Sequence, residues 1–258
     1  MLLPAALEPH RAALEKTKMP FLRVKSHPAR SLPLWASKVG GIPYLPKTVA
    51  WPTAPDGRQL FFLAQINFAE VPALPPFPTQ GILQFYINDD DLYGMDFDDG
   101  ENADTFRVLY FSEIVQNEQV LHAPVNPMRP YDLLPHHPDE CYPLSFERAE
   151  EYAPVTDYRF WEQMGQNFFQ QYGSSEWQFM DEYQKSLSPQ GHKIGGYAYF
   201  TQDDPRSPAD PLLLLFQLDS DETLDLMWGD MGVGHFFIRE KDLSARDFSK
   251  VLYDWDCM

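Results

Sequence analysis

The segment FFLAQIN, residues 61–67, is an apolar run interrupted by two amide side chains at alternate positions. Alternation with a period of two places Gln65 and Asn67 on the same face of an extended strand. The segment LLLFQLD, residues 213–219, has the same pattern, with a glutamine and an aspartate at the matching positions. The two segments predict two equivalent strands, each with a polar pair in an apolar setting.

Three further pairs of segments match in the same order along the chain. They are GGIPYLP from Gly40 with GGYAYFT from Gly195, GILQFYI from Gly81 with GVGHFFI from Gly232, and VLYF from Val108 with VLYD from Val251. Four ordered matches indicate an internal duplication, with repeats at about residues 40–111 and 195–254. The paired glycines suit a sharp turn into the first strand of each repeat.

The duplication predicts an α+β fold built of mainly antiparallel β-sheet units. Each repeat exposes an apolar sheet face that the other can cover, which gives a pseudo-twofold arrangement within one compact domain. The 24 prolines favour few long helices and many extended connections. Further β-like runs outside the matches are FLRV from Phe21 and EQVLHAPV from Glu118.

Two regions have a helical pattern. Residues 9–18 predict a short helix, because a proline is tolerated in its first turn. Residues 156–187 predict an inserted helical hairpin, in which Gly173 ends the first helix and Ser175 with Gln178 forms a capping box for the second. We expect its aromatic face to pack on the sheet; an exposed aromatic docking face is the alternative.

The charge of the chain limits its partners. Among 258 residues, 38 are acidic and 20 basic, a formal net charge of −18, and 44% are hydrophobic, which suffices for a folded core. We expect neither nucleic acid nor an anionic membrane as a partner, whereas a cationic protein or peptide would be attracted. With two cysteines, no secretion signal and no apolar run of about 20 residues, the sequence predicts a cytoplasmic protein.

The polar strand positions give the first candidates for ligand binding. If their strand face is buried, these groups hydrogen-bond neighbouring backbone, because an unpaired buried amide costs about 1–3 kcal/mol. If the face lines a groove between the repeats, they present amides to the main chain of an extended peptide. With two tryptophans from nearby motifs, the candidates are Gln65, Asn67, Gln217, Asp219, Trp51 and Trp228.

Acidic residues cluster in NDDDLYGMDFDDGENAD from Asn88 and in DSDETLDLMWGD from Asp219. The candidate ligands of calcium or another divalent metal are Asp96, Asp98, Asp99, Glu101, Asp221 and Asp230. The first segment does not fit an EF-hand, because Phe97 falls where a ligand is required. The alternatives are a solvated hairpin loop for the first segment, and turn formation and strand capping for the second.

The histidines do not indicate catalysis. His136 and His137 precede acids and Cys141, but the flanking prolines keep this segment out of a helix and disfavour a metal site. His192 and His235 are expected to be hydrogen-bonded structural residues. The sequence has no nucleophile elbow, phosphate-binding loop, dinucleotide motif or zinc-protease motif, so we assign no catalytic residue.

In combination, these motifs resemble the YwqG-like family, a bacterial family of unknown function. The segments that carry the resemblance are GGIPYLP from Gly40, WP at Trp51, FLAQINFAEVP from Phe62, GILQFYIND from Gly81, DLYGMDFDD from Asp91, FRVLYF from Phe106, GGYAYFTQDDPR from Gly195, LLLFQLDSD from Leu213 and MWGDMGVGHFFI from Met227. Ala198 stands where the family more often has proline, and residues 121–155 carry no family motif.

The resemblance implies an α+β fold rich in β-structure. Distant relatives of the family include eukaryotic programmed-cell-death-2-like proteins, some of which are chaperones dedicated to a ribosomal protein, so it also implies peptide or protein binding. We therefore expect a non-enzymatic module that binds a basic client near the junction of the repeats, in a chaperone-like or toxin-neutralising role. The alternative is a metal-dependent enzyme or calcium-binding protein that uses the clustered acids. The oligomeric state is left open.

Overall fold

The computed structural model describes residues 3–28, 30–123 and 131–258. In this part of the chain, ten strands form one sheet whose neighbouring strands are antiparallel. The strands are β1 (Met19–Ser26), β2 (Lys38–Gly40), β3 (Phe61–Asn67), β4 (Ile82–Ile87), β5 (Phe106–Phe111), β6 (Cys141–Glu151), β7 (Lys193–Gly195), β8 (Leu213–Asp219), β9 (Val233–Ile238) and β10 (Leu252–Asp256).

The strand order across the sheet is β10-β9-β8-β7-β1-β6-β2-β3-β4-β5. The long strands β1 and β6 lie at its centre and pair from Met19 opposite Glu151 to Ser26 opposite Leu144. On one side β1 pairs with β7, and on the other β6 pairs with β2. The central pair therefore joins a four-stranded group of β2–β5 to a four-stranded group of β7–β10.

The sheet curls until its two end strands come close together. Phe85 of β4 stacks on Phe216 of β8 with 4.9 Å between ring centroids, and Phe106 of β5 lies 5.3 Å from Tyr253 of β10. No pairing joins β5 to β10 in the described residues, so the sheet is nearly closed. Its inner face is a continuous apolar core, in which each fully buried large side chain contributes about 1.5–3 kcal/mol.

Strands β3, β4 and β9 are buried along their whole length, so both faces of these strands are covered. On the outer face of the β7–β10 group, Phe200 and Leu212 pack against Phe237. The β-like runs around residues 21, 61, 82, 106, 213, 233 and 252 were predicted as strands, and the structure confirms them. The prediction for EQVLHAPV was wrong: Glu118–Val120 form a 3-10 helix, and residues 124 and 125 lie outside the described part.

The α-helices of the described residues are short. They are α1 (Arg11–Leu14), α2 (Phe160–Met164), α3 (Glu176–Ser186) and α4 (Glu240–Ala245). The predicted helix at residues 9–18 is present as α1 with a 3-10 turn on each side. None of the helices described has the length and apolar character needed to cross a bilayer.

The inserted segment at residues 156–187 differs from the predicted hairpin in detail. Helix α2 ends at Gly165, whose φ of 93° is left-handed, well before Gly173. The predicted capping box is also wrong, since the side chain of Ser175 makes no cap hydrogen bond. The aromatic face of this segment packs on the N-terminal helical region and on the residues that follow β6, including Leu14 and Tyr152.

The paired glycines lie where β2 and β7 end, not where these strands begin. Gly40 and Gly41 have φ values of 67° and 72°, and Gly195 and Gly196 have 69° and 75°. Other residues rarely adopt this left-handed conformation, so each pair allows the chain to leave the sheet abruptly. The predicted sharp turns are present, but they follow β2 and β7 instead of leading into them.

Candidate binding cleft

An open cleft of about 690 Å³ lies beside the central strand β1, where β7 begins. Strands β1 and β7 pair only from Phe21 to Arg23, and the amide of Val24 donates to the carbonyl of His192. Beyond this point β1 continues without β7 beside it. The cleft therefore exists because an eight-residue strand is paired with a three-residue strand.

The floor of the cleft contains a buried ion pair between Lys193 of β7 and Glu151 of β6. The Lys193 Nζ lies 2.6 Å from one carboxylate oxygen of Glu151 and also donates to the carbonyl of Tyr197, while the Tyr197 amide donates to the other oxygen at 2.7 Å. Burial raises the pKa of Glu151 and lowers the pKa of Lys193, and their mutual attraction opposes both shifts. Through Tyr197, this ion pair holds the chain in place just after β7, where it leaves the sheet.

One wall of the cleft is organised by His192. Its Nδ1 accepts from the Asp219 amide at 3.0 Å, so the neutral ring carries its proton on Nε2, which donates to the Asp221 carboxylate at 3.1 Å. The Ser26 hydroxyl donates to the same Asp221 oxygen at 3.2 Å. Both ring nitrogens are occupied and the serine contacts the carboxylate, so these residues are not arranged as a nucleophile and its base.

The two carboxylates of this wall differ in their surroundings. Hydrogen bonds from His192 and Thr223 hold the pKa of Asp221 well below its usual range. Burial raises the pKa of Asp219, whose carboxylate accepts from the Gly191 amide at 2.7 Å. Among the ion pairs of the described residues, none joins Asp219 to a lysine or arginine. The wall therefore offers negative charge to a cationic group that enters the cleft.

Of the candidate polar strand positions, Gln65 is fully buried and used internally. Its Nε2 donates to the carbonyls of Leu34 and Ala36, both at 2.7 Å, and its Oε1 accepts from the Tyr44 amide at 2.9 Å. These bonds connect the segment before β2 to the segment after it. In this structure the amide is a structural link and faces no groove.

Gln217 makes a corresponding set of hydrogen bonds in the other four-stranded group. Its Nε2 donates to the carbonyls of Pro189 and Gly191 at 3.2 and 2.8 Å, and its Oε1 accepts from the Tyr199 amide at 2.8 Å. It too is fully buried. We call these two glutamines the glutamine links.

Asn67 and Asp219 have different environments. The Asn67 side chain donates to the Trp35 carbonyl at 3.0 Å and accepts from the Ala69 amide, so it caps the turn after β3. Asp219 lines the cleft. Of the four polar strand positions, Asp219 alone is brought into this cleft.

Neither candidate tryptophan faces the cleft. Trp51 is half-buried and donates to the Leu60 carbonyl at 2.9 Å. Trp228 is completely buried, lies edge-on to Tyr93, and its ring fills the space above Gly234. A side chain at position 234 would collide with the indole, so this glycine is required by the core.

The candidate metal ligands do not converge. Asp96 caps its own loop by accepting from the amides of Asp98 and Asp99, and Glu101 pairs with Arg239 at 2.6 Å. Asp230 is exposed on a turn of the second acidic segment, away from Asp221 in the cleft wall. Across residues 3–28, 30–123 and 131–258, no three histidine, cysteine, aspartate or glutamate side chains are placed to hold one metal ion.

The remaining histidines are interior residues. His136 packs on Phe61 at 4.9 Å, and burial lowers its pKa to about 4. His235 is fully buried with Nε2 donating to the Tyr199 carbonyl at 2.6 Å. The expectation that His192 and His235 are hydrogen-bonded is met. Cys141 and Cys257 are both free thiols.

The sequence reasoning missed Lys193 and Glu151. A signal was available, because KIGG from Lys193 matches KVGG from Lys38, and both lysines are 1% exposed. Lys38 donates to the Leu34 carbonyl at 3.1 Å, and burial lowers its pKa to about 8. A lysine within a short apolar strand in both places is unusual, because lysine is rarely buried without a partner.

A comparison with protein families gives one match, to a domain of unknown function (DUF1963) over residues 37–257. The chain belongs to the DUF1963 family. The DUF1963 region includes β2 to β10, whereas β1 at Met19–Ser26 precedes it. The cleft of this DUF1963 protein is therefore formed jointly by the family region and by a strand outside it. A comparison with curated proteins gives no match.

Proposed function

We propose that this protein is a non-enzymatic binding module, acting in the cytoplasm, that holds a basic segment of a client protein in the cleft. The observation that carries the proposal is the wall formed by Asp219 and Asp221. Asp219 has no lysine or arginine as an ion-pair partner in the described chain, and burial raises its pKa. A cationic side chain placed there would form an ion pair with a carboxylate that no lysine or arginine of the described residues contacts directly.

The shape of the cleft supports an extended client. Past Val24, strand β1 is still paired with β6 on one side but is no longer paired with β7 on the other. The backbone N–H and C=O of Ser26, on the same side as those of Val24, therefore face the cleft. A segment lying alongside β1 can use these groups, and a basic side chain can reach the acidic wall. The likeness to YwqG-like proteins, and through them to chaperone-like relatives, supports the same class of function.

The proposal is tested with a short fluorescent peptide that alternates arginine and serine, measured by anisotropy. We expect Asp219→Asn to weaken binding about tenfold, because a charge-assisted hydrogen bond is worth about 1.5–3 kcal/mol. Asp98→Asn is the matched control, since Asp98 is exposed in the other acidic segment. Binding should also weaken as the pH falls and Asp219 takes up a proton.

Equal losses for the two variants would show that only the overall charge attracts the peptide and would overturn the proposal. A peptide with glutamate in place of arginine should not bind. Added calcium should leave the affinity of the arginine peptide unchanged apart from the effect of ionic strength. A specific calcium effect would instead favour the metal-binding alternative.

We also infer that the β2–β5 and β7–β10 groups are copies of one unit in a pseudo-twofold arrangement. The strand order supports this inference. When the order is read from the other end and every strand number is changed by five, so that β1 and β6 exchange, the same order results. The bulges support it as well. The pairing of β3 with β4 shifts between Phe62 and Ala64, and that of β8 with β9 shifts between Leu214 and Phe216, at matching positions.

If the two groups are copies, the two glutamine links should be energetically equivalent. We expect Gln65→Leu and Gln217→Leu each to lower the free energy of unfolding by about 1–3 kcal/mol, because each leaves an amide and two carbonyls without a partner. The measurement is urea unfolding followed by circular dichroism. Gln178→Leu on the exposed side of α3 is the control. A large loss in one link and none in the other would contradict equivalence.

A further inference from the structure

A group of exposed apolar side chains lies away from the cleft. Its members are Leu133, Met227, Met231 and Met258, with 49%, 39%, 46% and 75% of their surface exposed. We call this group the methionine surface. Isolated exposed apolar residues are common on proteins, but a cluster of them marks an interaction site more often.

Hydrogen bonds show that these residues are neighbours in space. The Met227 amide donates to the Pro135 carbonyl at 2.6 Å, which brings Met227 beside the segment that contains Leu133. The Met231 amide donates to the Met227 sulfur at 3.3 Å. The Met258 amide donates to the Asp230 carbonyl at 3.1 Å. Three separate segments of the chain therefore contribute to one surface.

The turn that carries two of the methionines is firmly held. Trp228, between Met227 and Gly229, is completely buried, and its amide donates to the Ser220 hydroxyl at 3.0 Å. A Cβ at Gly229 would lie 2.8 Å from the Cys257 sulfur, so the turn packs closely on the last strand. The methionines are exposed from a fixed backbone, while their own unbranched side chains can adapt to a partner.

The charged residues of the segments that form this surface are acidic, whereas Arg58, which donates to the Asp89 carbonyl, lies near Leu133. The contributing segments, residues 131–147, 207–238 and 251–258, contain no lysine or arginine. Exposed acidic residues on these segments are Asp132, Asp139, Glu140, Glu147, Asp210, Glu222, Asp225 and Asp230, of which Glu147 pairs with Lys25 and Asp210 with Arg239. The surface thus combines adaptable apolar side chains with a mainly acidic rim.

We propose that the methionine surface docks a basic amphipathic segment of a partner protein. The apolar side chains of that segment would cover the methionines, and its lysines or arginines would face the acidic rim. A second copy of this chain is a poor occupant, because it would bring two acidic rims together on proteins that each carry a net charge of −18. None of its four side chains lines the cleft, and the proposal does not depend on the function proposed for the cleft.

The test uses the full chain and a fluorescent amphipathic helical peptide of leucine and lysine, followed by anisotropy. We expect the double variant Met227→Gln with Met231→Gln to weaken binding at least tenfold. Asp230→Asn should weaken it less, and added salt should weaken binding to every variant that still binds. A peptide of the same pattern with glutamate in place of lysine should not bind.

Two control variants make the outcome specific. Trp177→Gln removes an aromatic side chain that is 78% exposed on α3, and Asp219→Asn alters the cleft. Both should bind the leucine–lysine peptide as the unaltered protein does. Equal weakening by Trp177→Gln would overturn the proposal, as would full binding by the methionine double variant.

Sedimentation of the protein without peptide tests whether the methionine surface binds a second copy of the chain. If the unaltered chain dimerises and the methionine double variant does not, the surface is a self-association site and the proposal is wrong. Met227, Met231, Asp230 and Trp177 are exposed, so an unchanged melting temperature is expected for their variants and confirms that loss of binding does not reflect unfolding.

Discussion

Alanine in place of Asp157 is expected to lower the free energy of unfolding by about 3–5 kcal/mol, because it removes a buried carboxylate that compensates the buried Arg206 and binds Arg159. The Asp157 carboxylate lies 2.7 Å from Nε of Arg159 and 3.0 Å from an Nη of Arg206. The side chains of Asp157 and Arg206 are completely buried. Arg206 retains Asp204 at 2.8 Å, which limits the loss.

The position of this network explains the size of the effect. Asp157 belongs to the inserted segment, whereas Asp204 and Arg206 belong to the chain that covers the outer face of the β7–β10 group. Burial tends to raise the pKa of Asp157, but the hydrogen bonds from Arg159 and the charge of Arg206 outweigh it and the pKa is lowered. A depressed carboxylate pKa contributes stability above the unfolded value near 3.8, and this is lost as the pH falls through the folded value.

Urea unfolding at neutral pH measures the difference. The matched control is Asp181→Ala, which removes an ion pair of 2.6 Å with Lys185 whose two side chains are 61% and 74% exposed. That change should alter the free energy of unfolding by less than about 0.5 kcal/mol, since exposed pairs on one helix contribute little. Similar losses in the two variants would mean that the Asp157 network is not the anchor of the inserted segment.

The strands that could be predicted from sequence are those whose side chains are all apolar or alternate between apolar and polar. Strand β6 was missed although it is central, because CYPLSFERAEE contains a proline and a series of charged residues. Its outward side chains, such as Glu147 and Glu151, belong to a polar face that pairs with basic residues and forms the floor of the cleft. The charged side chains of that face interrupt the apolar pattern on which the prediction relies.

The inserted segment shows the limit of helical periodicity. Phe160 and Tyr172 fall at helical spacing, yet both Phe168 and its neighbour Phe169 are buried in the same aromatic cluster. Helix α2 ends before Gly165, whose φ is 93°, and the chain continues through turns over residues 166–169, so both rings enter the cluster from a non-helical segment. Tertiary packing of aromatic rings decided the local conformation here.

The site could be predicted only in part. The period-two pattern included Asp219, which lines the cleft, in a matched polar set, but the pattern alone could not separate it from Asn67 and the two glutamine links, which are used internally. Glu151 and Lys193 are 42 positions apart and meet through pairing across the sheet centre. Such an encounter depends on strand order, which local sequence does not encode.

The replacement Asp254→Asn is expected to stabilise the protein at pH 8. Burial, with the charges of Asp256 and Asp204 nearby, raises the pKa of Asp254 to about 7. The nearest possible cation is His235, whose Nδ1 lies 3.9 Å away, but burial lowers the pKa of that imidazole to about 3, so it is neutral. Asp254 is therefore an ionisable carboxyl on β10 without a compensating charge among the residues that the structure describes.

The direction of the effect on stability follows from the protonation of the Asp254 carboxyl in the folded and unfolded states. Below the unfolded value near 3.8 both states hold the proton and the carboxyl has no net effect. As the pH rises, the unfolded chain ionises first, so the folded state becomes progressively less stable, and the penalty is complete above about pH 7. A pKa raised from 3.8 to about 7 corresponds to a penalty of about 4 kcal/mol.

Chemical unfolding of the unaltered protein and of the Asp254→Asn variant, at pH 5 and at pH 8, measures this penalty. Asparagine keeps the size of the side chain and cannot ionise, so its advantage should be several kcal/mol at pH 8 and much smaller at pH 5. Asp203→Asn, at an exposed position in the neighbouring loop, should show no such pH dependence. If the Asp254 advantage were the same at both pH values, it would come from hydrogen bonding by the amide, and the carboxyl at position 254 would not be the group that destabilises the fold in alkaline solution.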